Sequence, residues 1–370
     1  MADDRGNKGG PVTIKDIAQA LGISHATVSR ALHDSPLISR STKDRIRAMA
    51  EEMGYVPDAA ARVMRGGASN LVGFILPDVQ NHFYSAIAKV LAEAVSAQGQ
   101  QLVLAISGDD PEQELRHVKE LRRARAQGII ITPVASMLPE TATLLNEMRV
   151  VQLVRSHPDI LADVVTAQDA AATRLSTSHL LALGHRRIAY LGGGSETLST
   201  GVHRLEGYLS AMAGVADAQP AHRLVPPHPE NGYQASLDLL RAPPAPTGLV
   251  IGSSQLALGV LRAVRELGLS VPGDLSLVSY DDPDWHQLWG PGITTIALPI
   301  QTMAHFAARK ICLPDADLHD AGSPENRDIV INQLEHGRNF SFPIQLRERG
   351  SCRPIGALTA TPRAPAGARH

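Results

Sequence analysis

The chain reads as an N-terminal all-α helix-turn-helix unit followed by a two-lobed α/β domain, each lobe built on a parallel, Rossmann-like sheet. Three observations predict this. Short helical patterns crowd together between Pro11 and Met53. From Leu71 the period changes, and β-rich runs alternate with longer amphipathic stretches, as in parallel α/β sheets. That alternation starts again near Val164, so two sheets with a cleft between them are expected. A chain of 370 residues is also too long for one core.

Each element has a local reason. Residues 1–11 are polar and Gly-rich and are expected to be a disordered leader. Residues 12–57 hold three helices. Thr13-Ile-Lys-Asp16 has the form of a capping box; Ile14, Ile17, Ala18 and Leu21 then share a face, and Gly22 stops the helix. Ser24 can cap a second helix that buries Val28, Ala31 and Leu32. A third runs from about Ser41, with Ile46, Met49, Ala50 and Met53 on one stripe and Gly54 after it. Two helices joined by a tight glycine turn, with a third in support, make a helix-turn-helix. Residues 58–70 read as a linker. Asp58 can cap a two-turn helix there, but isolated helices shorter than roughly 12–15 residues do not hold in water, so this one would fold only when docked.

Residues 71–353 form the α/β domain. Strands are expected at Leu71–Leu76, Gln101–Ile106, Gly128–Ile131 and Val150–Val154, with helices near Tyr84–Ala97, Glu112–Arg123 and Glu140–Glu147. The second series has a helix at Ala170–Leu183 and strands at Ile188–Leu191, Gly248–Ile251 and Leu275–Tyr280. Its other helices lie near Val202–Ala213, Tyr233–Leu240 and Leu256–Leu267. Leu313–Asn326 reads as a loop, and residues 354–370, rich in Ala, Pro and Arg, as a disordered tail.

Composition narrows the function classes. Net charge is −2, and residues 1–70 hold 10 Lys and Arg against 8 Asp and Glu, so nucleic-acid binding must rest on a local motif rather than bulk charge. Cys312 and Cys352 are too few for a disulfide framework or a structural zinc site. The N-terminus lacks the basic start and apolar stretch of a secretory signal, and no apolar run approaches the ~18 residues of a membrane span. A cytoplasmic protein with no cofactor is expected. An enzyme finds little support: there is no His-Glu-x-x-His, Gly-x-Ser-x-Gly, P-loop or Cys-x-x-Cys, and Gly192-Gly-Gly-Ser195 lacks dinucleotide-fingerprint spacing.

The stretch Val12-Thr-Ile-Lys-Asp-Ile-Ala-Gln-Ala-Leu-Gly-Ile-Ser-His-Ala-Thr-Val-Ser-Arg-Ala-Leu32 strongly resembles the DNA-binding headpiece of the lactose-repressor (LacI/GalR) family. The resemblance continues through Gly54-Tyr-Val-Pro57, Val72-Gly-Phe-Ile-Leu-Pro-Asp78, Leu181-Ala-Leu-Gly-His-Arg-Arg-Ile188, Arg204-Leu-Glu-Gly-Tyr208 and Val271-Pro-Gly-Asp-Leu-Ser-Leu-Val-Ser-Tyr-Asp-Asp282. It reaches Gln345-Leu-Arg-Glu-Arg-Gly-Ser351 and so spans about residues 12–353. The resemblance implies a periplasmic-binding-protein-like effector domain behind the headpiece. It also implies a transcriptional regulator, most simply a repressor, that binds a palindromic operator in double-stranded DNA as a homodimer. No leucine heptads follow Ser351, so a dimer rather than a tetramer is expected.

On the family pattern His25, Ala26 and Arg30 read base edges in the major groove. Arg30 can pair bidentately with guanine, and Ala26 can offer only a methyl contact. Thr13, Ser24, Thr27 and Ser29 match phosphate-contacting positions. In the linker, Ala61 and Met64 match minor-groove positions, Met64 standing where the family wedges a leucine between base pairs; Asp58 replaces the usual asparagine.

The resemblance places Arg155, Asp169, Arg204, Ser253 and Asp281 in the effector cleft, with Phe83 as a wall. Several positions depart from the pattern: Ser253-Ser254 replaces Asn-Asp, Val154-Arg155 replaces Asp-Arg, and an aromatic wall near Pro227 is absent. Fewer carboxylates beside two arginines shift the expected effector from a neutral sugar towards a sugar acid or other small carboxylate. Trp285 and Trp289 are expected to pack in their loop rather than close the pocket. One rival is a solute-binding protein, which would lack the headpiece and carry an export signal; the alternative reading is a solute-binding-type sensor with weak or vestigial DNA binding, against which intact Thr27-Val-Ser-Arg30 argues.

Overall fold

Thr13 starts the first helix because its backbone N–H and its hydroxyl both donate to the Asp16 carboxylate, at 2.8 and 2.7 Å. Helix α1 (Ile14–Leu21) ends at Gly22, whose φ of 66° is left-handed and favours a residue without a Cβ. Ser24 caps α2 (His25–Leu32), its hydroxyl accepting the Thr27 N–H at 3.1 Å. Ser39 caps α3 (Arg40–Glu52) in the same way through Thr42. The three helices close over Ile17, Ala18, Val28, Ala31, Ile46 and Ala50. The apolar periodicity of the sequence picked out all six but placed Ile14, Leu21, Leu32, Met49 and Met53 at the same depth; these line the margin instead.

This computed structural model describes residues 12–32, 34–55, 69–194, 197–313 and 329–357. The chain divides into two units, Met1–Ala68 and Ser69–His370. The leader at 1–11, the linker residues Asp58, Ala61 and Met64, and nearly all of the loop expected from Leu313 lie outside the described residues. Of the tail expected to be disordered, Pro354–Ala357 is described: Ile355–Ala357 forms one 3-10 turn, tied down by the Ile355 N–H to the Leu183 carbonyl at 3.0 Å.

The second unit contains two sheets. The first has seven strands in the order β11-β12-β5-β4-β3-β1-β2: β1 (Leu71–Leu76), β2 (Gln101–Ile106), β3 (Gly128–Ile131), β4 (Val150–Leu153), β5 (Asp163–Ala167), β11 (Val330–Gln333) and β12 (Arg338–Phe342). The second has six in the order β13-β10-β9-β8-β6-β7: β6 (Arg187–Gly193), β7 (Gln219–Val225), β8 (Gly248–Ile251), β9 (Ser276–Tyr280), β10 (Thr294–Ala297) and β13 (Gln345–Arg347). All pairings are parallel except β11 with β12 and β10 with β13. Strand order reverses beside β1 in one lobe and beside β6 in the other, and ligands of such sheets bind outside the carboxyl ends of the strands at that reversal.

Helices cover both sheets: α4 (His82–Ser96), α5 (Pro111–Arg123), α6 (Pro139–Asn146), α7 (Asp169–Ala182), α8 (Ser199–Ala213), α9 (Pro229–Arg241), α10 (Ser254–Glu266), the short α11 (Trp285–Leu288) and α12 (Ile300–Cys312). Three expectations need correction. Val164 does not open the second lobe: β5 pairs with β4 and extends the first sheet, and the second lobe begins with α7. Strand β7 was missed because it is an exposed edge with Pro220 in it, where neither a continuous apolar run nor every ladder N–H is required. Helix α12 was missed although it buries Met303, Ala304, Ala307, Ala308 and Ile311. It belongs to the first lobe, packed with Ile87, Leu91 and Ile130, so the chain returns there after building most of the second.

Candidate functional site

The first candidate site is the outer side of α2, where the expected base-reading residues lie. His25, Ala26 and Arg30 are exposed, as are Thr13 and Ser24, while Thr27 and Ser29 are half-buried. Val28 and Ala31 turn inward, so helical spacing alone leaves His25, Ala26 and Arg30 facing outward. Arg30 has no side-chain partner among the described residues. Several hydroxyls already have structural work: Thr13 bonds Asp16, and the Ser24 and Thr27 hydroxyls lie 2.9 Å apart.

The second candidate site lies between the lobes. Its lining comes from the carboxyl ends of strands in both sheets: Asn81, Phe83 and Tyr84 after β1, Val154 and Arg155 after β4, and Gly193 and Gly194 at the end of β6. Pro227, Ser253, Ser254, Tyr280, Asp281 and Leu298 complete it, with Thr200 and Arg204 from α8, around a cavity of about 60 Å³. Two hydrogen bonds cross from lobe to lobe at its rim, Ser156 N–H to Ser199 Oγ at 3.1 Å and Gln255 Nε2 to the Gln80 carbonyl at 3.2 Å.

The two arginines are held differently. Arg204 reaches out of α8, which approaches α7 closely at Gly207; a Cβ there would lie 2.1 Å from the Ala170 carbonyl oxygen. That approach brings Arg204 Nε to the Asp169 carboxylate at 2.7 Å, and its Nη1 to the Gly252 carbonyl at 2.9 Å. The guanidinium lies 3.8 Å from the centre of the Tyr280 ring, and the Tyr280 hydroxyl also donates to Asp169. Asp169 itself does not line the cavity: it stands behind and orients Arg204. Arg155 is 5% exposed and pairs with Asp109, at 2.5 Å through Nη1 and 3.4 Å through Nη2.

Asp281 sits at φ 70° and is 5% exposed. Burial pushes its carboxyl above the usual range, against the Asp282 N–H and the Ser254 hydroxyl, which donate to it at 2.8 and 3.1 Å. Ser253 caps α10, its hydroxyl accepting the Gln255 N–H at 3.3 Å. Phe83 is a wall, edge-on to Tyr84. Neither Trp285 nor Trp289 lines the cavity; Trp285 packs against the β8–α10 core.

Sequence reasoning missed Asp109, Tyr84, Tyr280 and the Gly193-Gly194 wall. Asp109 is distant from Arg155 in sequence, and only the adjacency of β2 to β1 carries its loop to the cleft. The glycines carried a visible signal, a glycine run directly after a strand. A Cβ on Gly193 would come within 3.2 Å of Pro227 and Ser253, so a side chain there would invade the cleft wall.

Residues 13–58 match the bacterial regulatory proteins of the lacI family, and residues 177–320 match a periplasmic binding protein-like domain. The HTH-type transcriptional regulator GalR of Escherichia coli K12 is 30% identical over 336 residues, covering 90% of this chain and 96% of that protein. The chain belongs to the LacI family. Among its LacI-family relatives, the repressor PurR of Klebsiella pneumoniae is 25% identical over 346 residues, covering 92% of this chain and 96% of PurR. The lac repressor dimer bound to operator and the anti-inducer ONPF superposes with a TM-score of 0.75 at 25% identity, covering 93% of this chain and all of that one. The protein is thus a LacI-family DNA-binding transcriptional regulator with a ligand-binding domain, and its relatives are regulators rather than enzymes. No helix among the described residues is long and apolar enough to cross a membrane.

Proposed function

We propose that the protein is a transcriptional repressor that binds a palindromic operator as a homodimer and is switched by a small polar metabolite, a sugar, sugar acid or other small carboxylate, in the inter-lobe cleft. It acts in the cytoplasm, where its DNA is. The observation that carries this reading is a helix presenting His25, Ala26 and Arg30 outward on the same chain as a cleft floored by buried, oriented polar groups. The domain boundaries follow: headpiece 12–57, linker 58–70 and effector domain 71–353.

Dimerisation has a surface to use. Leu104 and Ile106 on the edge strand β2 are 45% and 46% exposed, and an apolar edge of that kind calls for a partner. The lac repressor in its operator complex is a dimer, and a second copy of this chain fits the same need. The effector acts through closure of the cleft: a ligand that favours one arrangement of the Ser156–Ser199 and Gln80–Gln255 contacts shifts the lobes and with them the headpiece spacing. Coupling must be reciprocal, operator DNA changing effector affinity by the factor by which effector changes operator affinity.

The deciding experiment is capture of sheared genomic DNA by the purified protein at one fixed salt concentration, followed by sequencing, because phosphate binding alone is strongly salt-dependent. Recovery of one short palindrome is the expected result. Sequence-independent capture, with and without candidate metabolites, would overturn the repressor reading and leave a small-molecule sensor.

A further inference from the structure

Two arginines line the cleft, and sequence alone made them look like receptors for an anionic ligand. The structure gives each an internal carboxylate, Asp169 for Arg204 and Asp109 for Arg155. The second pair is unusual in its construction. Arg155 is deep in the cleft wall, its side chain 6% exposed, whereas the Asp109 side chain is 41% exposed and comes from the turn between β2 and α5. Gly108 and Asp109 are both left-handed, at φ 63° and 58°, and this reversal aims the Asp109 carboxylate back at the cleft. Asp110 anchors the turn by accepting the Glu112 N–H at 2.8 Å as the cap of α5.

We propose that Asp109 sets the charge selectivity of the cleft: it fills the anion-binding side of the Arg155 guanidinium, so the site admits an uncharged polar ligand and rejects carboxylates. The proposal rests on the cleft being the effector site and narrows its ligand class. Paired contacts from one guanidinium to one carboxylate are the arrangement a ligand acid would need. A carboxylate tethered on an anchored turn holds that position at a high effective concentration, so a free acid must displace it. One further carboxyl opposes an added anion: Asp281 faces the cavity from the other lobe.

The test uses the full chain and probes of charge alone. Unfolding midpoints are measured in increasing sodium acetate against sodium chloride of equal ionic strength, for the wild type, Asp109→Asn and Asp109→Gly. Asparagine and glycine both tolerate the left-handed backbone, so the turn survives in at least one of them. The wild type should show no acetate-specific shift, whereas the variants should gain a saturable rise of a few degrees, because a ligand that binds only the folded state stabilises it. Adding Arg155→Gln to either variant should abolish that rise. A panel of matched pairs, ribose with ribonate and galactose with galactonate, provides a second readout: any pair that binds should favour the neutral member at least tenfold in the wild type and lose that preference in Asp109→Asn. An acetate response in the wild type equal to that of the variants, or none in either variant, would overturn the proposal. An acetate response confined to the variants, with no palindrome recovered from genomic DNA, would sink the repressor reading while leaving this charge selectivity standing.

Discussion

Single residues in this protein divide into those that face a partner and those that answer a buried charge. Arg30 is proposed as the first kind: it faces outward on α2, and a bidentate guanine contact from it would discriminate bases by about 1–3 kcal/mol. Arg30→Ala should therefore flatten base preference at one operator position in a binding-site selection while leaving effector affinity unchanged. Unaltered preference at every position would remove Arg30 from the readout. Glu114 is of the second kind. Fully buried, with one carboxylate oxygen accepting the Val134 N–H at 3.0 Å, its carboxyl is pushed by burial from 4.5 up to about 7. The folded state therefore keeps a proton that the unfolded chain has already lost. The stability this contributes is complete below the unfolded value and is lost as pH rises through about 7. Glu114→Gln, which can still accept from Val134, should gain on the wild type between pH 5 and pH 8 by up to about 3 kcal/mol in urea unfolding. An equal difference at both pH values would contradict it. Fully buried His286, pushed by burial from 6.5 down to about 4, runs the other way: its contribution is present above 6.5 and is lost on acidification through about 4.

At the scale of elements, close helix packing does the positioning. Helices α7 and α8 approach at Gly207, and that approach sets Arg204 against Asp169. Gly207→Ala would push a methyl into the Ala170 carbonyl and force the helices apart. The expected cost is about 1–3 kcal/mol in denaturant unfolding, as for other overpacked sites, together with weakened binding of whatever neutral sugar the wild type takes. A variant as stable as the wild type would show that α8 can shift without loss. The elements read correctly from sequence were those whose own residues carried the signal. Capped, amphipathic α1, α2 and α3 are examples, as are the almost wholly buried β1 and the fully buried β3 and β8. Those missed, β7, β10, β11, β12 and α12, depend on neighbours: β7 is an exposed edge, four-residue β10 is defined by its pairing with β9, β11 and β12 by their pairing with each other and of β12 with β5, and α12 packs in a lobe the chain had already left.

For the whole molecule the central expectation is the dimer. Ile106→Glu places a charge on the exposed edge of β2, where it disturbs no described core cluster. Sedimentation should then show monomers at micromolar concentration, and operator affinity should fall at least tenfold because two headpieces no longer bind as one unit. A variant that still sediments as a dimer would move the interface elsewhere.

The sequence alone determined the family-level plan, since caps, apolar periods and an ordered set of motifs are properties of consecutive residues. It also showed which side of α2 faces outward, because three and four residues of spacing decide which side of a helix is free. Charge in the cleft was another matter. Arg155 and Arg204 were legible as cleft residues, yet their counter-ions, Asp109 and Asp169, meet them only where β2 and β4, with two strands between them, end at the same edge of one sheet and where α7 and α8 touch. Electrostatics depends on distance through space rather than along the chain, so only the tertiary structure could show that these cations were already matched.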